Sequence, residues 1–168
     1  AKRNIIRVPK SEDIVALNSA FKSVENQYQR VKDIGCQVVT NAGFFNTVST
    51  MCYGHLVSQG KIIQTSPKHN VNFGIRNGSF VVGYLQEAEV RNMTNPFDEL
   101  TSGALWLVRN GVEYVDRSYK EEDMSIQETG KQFITVQSAR TAIGHDAEGN
   151  LMILPVESET WVYGVALY

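Results

Sequence analysis

Residues 40–46 read Thr-Asn-Ala-Gly-Phe-Phe-Asn and combine amide side chains, small residues and two adjacent aromatic rings. Asn41 offers both a hydrogen-bond donor and an acceptor, which suits the hydroxyl and acetamide groups of a sugar. Gly43 lets the backbone turn closely, and the Phe44 ring can pack on the apolar side of a pyranose. The same pattern also fits a turn beside a core pair of phenylalanines, so spacing alone leaves a sugar site and a structural turn open.

A second polar segment covers residues 138–146, where Arg140 and Thr141 interrupt small apolar residues. A guanidinium fixed by a sheet is suited to binding a phosphate, carboxylate or acetamide oxygen. A structural ion pair, for instance with Glu157, is the alternative. His145 beside Asp146 could transfer protons, but its place at a predicted turn favours a local hydrogen bond.

Glu157 follows a predicted strand and is a candidate catalytic carboxylate. Arg140 is the other candidate catalytic residue. Glycosidic chemistry usually needs two carboxylates that flank the bond, and a partner for Glu157 is not identifiable in the sequence. The common nucleophile-elbow, phosphate-loop and zinc-protease motifs are absent, as is Cys-x-x-Cys. We therefore expect neither a metal nor a cofactor.

The first element expected to support these groups is a helix over residues 11–34. Apolar residues recur there at steps of three and four, which places on one helical stripe Ile14, Leu17, Phe21, Val24, Tyr28 and Val31. Ser11 can cap the helix, and Gly35 can end it. Residues 36–40 then predict a short buried strand, because they are rich in β-branched side chains.

The rest of the chain predicts three β-hairpins, which pair residues 72–76 with 79–84, 104–108 with 112–115, and 139–144 with 151–154. The first two turn at Asn-Gly pairs, which readily adopt the positive φ angles of a two-residue turn. The third has a longer turn of similar chemistry. Residues 116–131 are charged and aperiodic, which predicts a solvated loop, and Trp106 is interpreted as core.

The composition excludes several classes of protein. The 168 residues fit one domain over residues 1–168, and a net charge of −2 gives no reason to expect a nucleic acid or an anionic membrane as partner. No apolar run reaches the roughly 20 residues that span a bilayer. We expect a soluble globular chain that has lost any signal peptide.

Two cysteines and two glycosylation sequons bear on the compartment. Cys36 and Cys52 predict a disulfide or two free thiols, and a zinc site is disfavoured because no His or further Cys stands at metal-site spacing. Asn77-Gly78-Ser79 and Asn92-Met93-Thr94 permit N-glycosylation at Asn77 and Asn92 in a secreted protein.

Several ordered blocks together resemble the phosphodiester glycosidase family, over about residues 35–154. They are residues 41–45, 72–75, 82–85, 95–97, 102–111, 127–130 and 138–146. The resemblance implies an α+β fold, with the N-terminal helix packed on an antiparallel, hairpin-rich sheet, and a secretory-pathway setting. In full-length members it implies removal of the N-acetylglucosamine that covers mannose 6-phosphate. Asn41, Gly43 and Phe44, with Arg140 and Thr141, fall where the family builds its sugar-phosphate pocket.

The chain also departs from the family pattern. Val156-Glu157-Ser158 stands where the family tends to have Val-Asp-Gly, and Tyr163 replaces a following arginine. The family's later Asp-Gly-Gly-Gly-Ser segment would lie beyond Tyr168. Two explanations follow: a second polypeptide from the same precursor completes the fold, or this lineage kept a sugar-binding scaffold without catalysis.

Our leading hypothesis from the sequence is a secreted, lectin-like protein that recognises an N-acetylhexosamine through Asn41, Phe44, Arg140 and Thr141. The alternative is an active phosphodiester glycosidase that a second chain completes. Arg140 would then steady the phosphate, and Glu157 would act as acid or electrostatic stabiliser. A structural or storage protein with an empty pocket is the third possibility, so enzymatic activity is left open.

Overall fold

The computed structural model describes residues 6–8, 35, 38–40, 43–44, 52–123, 136 and 138–156. The strands are β1 (Ile6–Val8), β2 (Leu56–Ser58), β3 (Lys61–Gln64), β4 (Val71–Arg76), β5 (Ser79–Tyr84), β6 (Glu99–Ser102), β7 (Val108–Arg109), β8 (Val112–Glu113), β9 (Arg140–His145) and β10 (Leu151–Val156). The helices are α1 (Glu87–Val90) and α2 (Val115–Glu121). Within this part of the chain the protein is rich in sheet and has little helix.

Five of these strands form an antiparallel sheet in the order β3-β2-β6-β4-β5. The predicted hairpin at Asn77-Gly78 is confirmed, because β4 and β5 pair from Val71↔Tyr84 to Arg76↔Ser79. The two turn residues have φ angles of 50° and 72°, which Asn and Gly adopt more easily than other residues. A second tight turn, at Gln59 and Gly60, joins β2 to β3 and was not predicted.

A smaller sheet has the order β1-β10-β9. The predicted third hairpin is confirmed by antiparallel pairing of β9 with β10. Its turn is held by Asp146, whose carboxylate accepts hydrogen bonds from the backbone and side-chain amides of Asn150. Pairing of Ile6 with Ile153 adds β1 to the other side of β10, so residues from both halves of the chain share this sheet.

Three predictions about local structure need correction. The second hairpin is real but short, because only β7 and β8 pair and residues 104–107 are not in a strand. The strand prediction for residues 36–40 is wrong for 38–40, where Val38 and Val39 are 43% and 56% exposed. The solvated-loop prediction is wrong for residues 116–122, which contain most of α2 and the buried Ser118 and Glu122.

The helix predicted over residues 11–34 lies outside the described residues, as do residues 124–131 of the predicted loop.

The described core contains two apolar clusters. One packs Val57, Val90, Phe97 and Leu100 together, which joins β2, β6 and α1. The other packs Phe73 of β4 against Leu151 and Ile153 of β10, with Phe80 and Val82 at its border. Because this second cluster includes strands of both sheets, it holds β9 and β10 against the five-stranded sheet.

The two ends of the five-stranded sheet differ. At one end, here named the turn end, the Gln59-Gly60 and Asn77-Gly78 turns lie near the start of β6. At the other, here named the loop end, β6 finishes at Ser102, β4 starts at Val71 and β5 finishes at Tyr84. The loop end carries the longer connections.

Candidate functional site

The predicted loop of residues 40–46, here named the asparagine-containing loop, contacts the loop end of the sheet at residues 43–44. Residues 43–44 and 53–55 lie side by side there and are together named the neck. The backbone N–H of Tyr53 donates to the carbonyl oxygen of Phe44 at 2.8 Å, which ties the two sides of the neck together. Gly43 lies against β6, since a Cβ there would fall 2.7 Å from Thr101 Oγ1 and 3.2 Å from the Ser102 carbonyl oxygen. A larger residue than glycine would push the neck off the sheet.

Ser102 connects this neck to the interior of the sheet. The Ser102 hydroxyl accepts a hydrogen bond from the backbone N–H of His55 at 2.7 Å and donates to Asn72 Oδ1 at 2.6 Å. Asn72 is 2% exposed, and its Nδ2 donates to the carbonyl oxygens of Asn70 and Gly83. The network is buried and well supplied with partners, as such networks must be if they are to hold a single geometry.

Gln64 of β3 fastens the neck from the other side. Its Nε2 donates to the Gly54 carbonyl oxygen at 3.1 Å and also to the carbonyl oxygen of Cys52. Two side chains from different strands, Ser102 and Gln64, therefore hold residues 52–55. Backbone that carries ligand-binding groups is commonly fixed in this way by a rigid sheet.

Thr40, the first residue of the asparagine-containing loop, contacts β9, the strand that begins at Arg140. Thr40 Oγ1 and Thr141 Oγ1 lie 3.0 Å apart and share a hydrogen bond across 101 positions of sequence. Thr40 and Gly43 are three residues apart, so their Cα atoms can be separated by at most about 11 Å. The start of β9 therefore lies near the loop end, and the two predicted polar segments converge.

The Arg140 guanidinium is half-buried at the start of β9. Its Nη1 donates to the carbonyl oxygen of Ala139 at 3.0 Å, and its Nη2 donates to that of Val136 at 3.2 Å. Burial lowers the pKa of Arg140 from its ordinary value, but arginine remains charged at any physiological pH. These bonds orient a positive charge beside Thr141.

Two predicted site residues, Asn41 and Glu157, lie outside the described residues, so the proposed Arg140–Glu157 ion pair stays a prediction.

His145 and Asp146 make local contacts instead of a proton-transfer pair with each other's side chains. His145 Nδ1 lies 2.9 Å from the Asp146 carbonyl oxygen, and its ring stacks on Phe80 with centroids 5.9 Å apart. The Asp146 carboxylate is directed to Asn150. The structure therefore favours the local hydrogen bond that the turn position indicated.

His55 is a buried histidine that the sequence did not single out. Its Nδ1 accepts from the backbone N–H of Ser66 at 3.2 Å, so Nε2 carries the proton and donates to the Leu85 carbonyl oxygen, also at 3.2 Å. Burial lowers the pKa of His55, which keeps the imidazole neutral. With both nitrogens occupied, His55 is a structural support of the neck.

Glu122 is a second buried polar group that sequence reasoning missed. Its carboxylate accepts from the backbone N–H of Val71 at 2.8 Å, from Ser118 Oγ at 2.9 Å and from Asn70 Nδ2 at 3.3 Å. Burial raises the pKa of Glu122, and the hydrogen bonds from Val71 and Ser118 work in the opposite direction. The carboxylate clamps the end of α2 to the start of β4.

Trp106 belongs to an aromatic cluster at the same end of the sheet, although not on a strand as predicted. Its ring meets Tyr84 edge-on at 5.4 Å and Tyr114 at 5.5 Å, and the Arg109 guanidinium lies 4.6 Å from its centroid. Burial and the charge of Glu122 both raise the pKa of Tyr84. The cluster packs the connection after β6 against the sheet.

The remaining predicted residues are surface groups or thiols. Asn77 and Asn92 are exposed, and Asn77 Nδ2 donates to Asn95 Oδ1 at 2.8 Å. Cys52 carries a free, half-buried thiol whose pKa is raised by burial, while Cys36 lies outside the described residues.

In the part of the chain that the structure describes, no cluster of three or more His, Cys, Asp and Glu side chains is arranged to hold a metal ion. None of the described helices has the length and apolar character needed to cross a membrane.

Comparisons with known proteins identify the relatives of this chain. A family model described as phosphodiester glycosidase matches residues 34–167. N-acetylglucosamine-1-phosphodiester alpha-N-acetylglucosaminidase of Mus musculus is 43% identical over 138 residues, and that of Bos taurus is 44% identical. Each match covers 80% of this chain, but the chain spans only about a quarter of these relatives, 27% and 26%.

A solved structure is similar as well. It is the catalytic domain of the zebrafish N-acetylglucosamine-1-phosphodiester alpha-N-acetylglucosaminidase, auto-inhibited by its pro-peptide. It shares 39% identity and a TM-score of 0.65 over 75% of this chain and 42% of that chain. The lectin-like hypothesis is therefore wrong, because the relatives are named as enzymes and none of these comparisons points to a lectin. By sequence and by structure, the chain belongs to the phosphodiester glycosidase family.

Proposed function

We propose that this chain forms part of the active site of a phosphodiester glycosidase. The substrate would be an N-acetylhexosamine, foremost N-acetylglucosamine, linked to a second group through a phosphodiester. The observation that carries the proposal is the 3.0 Å contact between Thr40 and Thr141, because it brings the asparagine-containing loop and the Arg140 strand to one place.

Arg140 is the proposed phosphate-binding residue. Its guanidinium is oriented by the carbonyl oxygens of Ala139 and Val136, and it is partly withdrawn from water. A fixed charge in such surroundings interacts more strongly with an anion than a solvated one does. It would stabilise the negative charge that the phosphate gains as the glycosidic bond breaks.

Asn41, Gly43 and Phe44 are the proposed sugar-binding residues, with Thr141 beside them. The Asn41 amide can exchange hydrogen bonds with an acetamide or hydroxyl group. Phe44 offers an apolar ring, and Gly43 allows the backbone next to Phe44 to lie close to Thr101 and Ser102.

The carboxylate chemistry is proposed to be shared between parts of the gene product. Glu157 would act as acid or electrostatic stabiliser, and a second carboxylate would come from outside this chain, since glycoside hydrolysis usually uses two. The chain spans about a quarter of its curated relatives, so most residues of those relatives have no counterpart in it.

The test is release of N-acetylglucosamine from an α-N-acetylglucosamine 1-phosphodiester by the complete gene product. We expect Arg140→Ala to lower kcat by about 100- to 1,000-fold, the usual effect of removing one group that stabilises developing charge. Arg117→Ala, which removes an exposed arginine of α2, is the matched control and should leave kcat unchanged. Absence of turnover in the intact wild-type protein rejects the proposed function.

A second polypeptide from the same precursor, either associated without a covalent link or bridged through Cys36 or Cys52, stays part of the proposal. Among the described residues Cys52 forms no disulfide, and Cys36 lies outside them. Masses of the native protein measured before and after reduction decide this. A native mass equal to that of this chain alone would reject the second chain, and a native mass that falls on reduction would show that a disulfide holds it.

The secretory setting and N-glycosylation at Asn77 and Asn92 are proposed for the same protein. Both side chains are exposed, as attachment of a glycan requires. Treating the secreted protein with an endoglycosidase should lower its mass. Asn77→Gln and Asn92→Gln should each lower the mass of the secreted protein by that of one glycan. An unchanged mass in both variants would exclude these sites.

The predicted helix over residues 11–34, packed on the sheet, and a single domain over residues 1–168 also remain proposals.

A further inference from the structure

We propose that Ser102, held by Asn72, is a positioning residue for the substrate-binding loop. This inference rests on the proposed function, because it assigns Ser102 a role in presenting Gly43 and Phe44 to the sugar. Ser102 touches the loop's neck and no group proposed to react.

The first support is that both sides of the neck meet the same residue. Gly43 is seated on the Ser102 carbonyl oxygen, while a Cβ at Gly54 would collide with the Ser102 side chain. Gly54 also has a φ of +72°, which L side chains rarely adopt. Ser102 is therefore the point on the sheet from which the position of the loop is set.

The second support is the direction of the hydrogen bonds. The Ser102 hydroxyl has one hydrogen, and Asn72 Oδ1 at 2.6 Å is a much closer acceptor for it than the His55 carbonyl oxygen at 3.4 Å. This leaves the oxygen to accept the His55 N–H at 2.7 Å. Asn72 cannot reverse the arrangement, because its Nδ2 hydrogens point to the carbonyl oxygens of Asn70 and Gly83.

The third support is a natural comparison within the chain. Ser118 is also a fully buried serine, and it likewise accepts a hydrogen bond from a backbone N–H, that of Trp106 at 2.7 Å. Its hydroxyl donates a hydrogen bond to Glu122 instead of to an asparagine. Ser118 lies on α2, and its side chain bonds to Trp106 and Glu122 instead of to the neck, so it separates a general stability effect from a positioning effect.

The experiment compares Ser102→Ala with Ser118→Ala in the complete gene product. Hydrogen exchange is measured at Tyr53 and His55, and KM and kcat are measured with the N-acetylglucosamine phosphodiester. Ser102→Ala should speed exchange at both amides and raise KM about tenfold with little change in kcat, the equivalent of one buried hydrogen bond. Ser118→Ala should instead speed exchange at Trp106 and leave KM unchanged.

If Ser102→Ala fails to fold, Ser102→Cys keeps a side chain of similar size but gives only a weak donor and acceptor, and the same results are expected of it. Unchanged exchange at Tyr53 and His55 overturns the inference, and so does faster exchange with an unchanged KM. A KM that rises equally in both serine variants overturns it too.

Failure of the proposed function is distinguishable, because it would show as absent turnover in the wild-type protein. The exchange rates would then still decide whether Ser102 fixes the neck.

Discussion

The turn end and the loop end of the five-stranded sheet are built by different physical means. At the turn end, two-residue turns reverse the chain, and Gln59, Gly60, Asn77 and Gly78 all have positive φ angles. At the loop end, the connections are long and buried polar side chains hold them, chiefly Ser102, Asn72 and Glu122. The turn end is specified locally, and the loop end depends on residues far apart in sequence.

The difference matters for function. A tight turn has few conformations and little surface to offer a ligand, whereas a long connection can carry side chains to a substrate if something fixes it. The polar interior of the loop end does this fixing. We expect mutations there to affect both stability and activity, and mutations at the turn end to affect stability alone.

The largest effect is expected for Glu122→Ala. It would leave the Val71 N–H and the Ser118 hydroxyl without their acceptor and remove one of the two acceptors of Asn70 Nδ2, so the free energy of unfolding should fall by about 3 kcal/mol. Denaturant unfolding measures it. Glu113→Ala, at an exposed glutamate of β8, should change stability by less than about 0.5 kcal/mol. Equal effects of the two substitutions would contradict the clamp.

Next in size is Gly43→Ala, which adds a Cβ 2.7 Å from Thr101 Oγ1 and 3.2 Å from the Ser102 carbonyl oxygen. The neck must shift, at a cost of about 2 kcal/mol, and activity should fall. Gly83→Ala is the control, because nothing lies within 4 Å of a Cβ there. Stability is read from thermal unfolding and function from kcat/KM. Full activity in Gly43→Ala would show that the neck does not position the substrate.

At the turn end, Asn77→Ala should lower the free energy of unfolding by about 1 kcal/mol, because alanine tolerates a φ of +50° poorly. Asn77→Gly should have little effect. Ser79→Ala removes the same sequon without changing the turn residue, so it controls for loss of a glycan. Activity should be unchanged in all three variants. Reduced turnover in any of them would contradict the expectation that mutations at the turn end affect stability alone.

The smallest effect is a pH dependence that comes from Glu122. Burial raises its pKa in the folded protein, so the folded state binds the proton more tightly than the unfolded chain. This contribution stabilises the protein below the unfolded pKa, near 4.5, and is lost as pH rises to the folded value. The free energy of unfolding, plotted against pH, should therefore have a different slope for wild type and for Glu122→Gln across that range. Parallel curves would mean that Glu122 does not titrate with folding.

The same contrast explains what the sequence could predict. The Asn77-Gly78 hairpin and the β9–β10 pair were predicted because turn residues and short-range alternation carry the information. Glu122 was assigned to a solvated loop, because its partner Val71 is 51 positions away and a charged sequence gives no sign of burial. Gly43 and Thr141 were predicted as site residues, and the structure brings their segments together.

What remained hidden was the support beneath them. Ser102 and Asn72 are 30 positions apart, and neither side chain is unusual in sequence. His55 likewise lies among apolar neighbours without a motif. Such networks become visible only when distant strands are aligned.

The strand order has a consequence for when the proposed site can form during synthesis. Thr141 lies on β9, which pairs with β10, and β10 pairs in turn with β1 near the N-terminus. During synthesis, the ribosome must release both of these late strands before the first strand has its partner or Thr40 can meet Thr141. The contact between Thr40 and Thr141 should therefore form only after nearly all of this sequence has been translated.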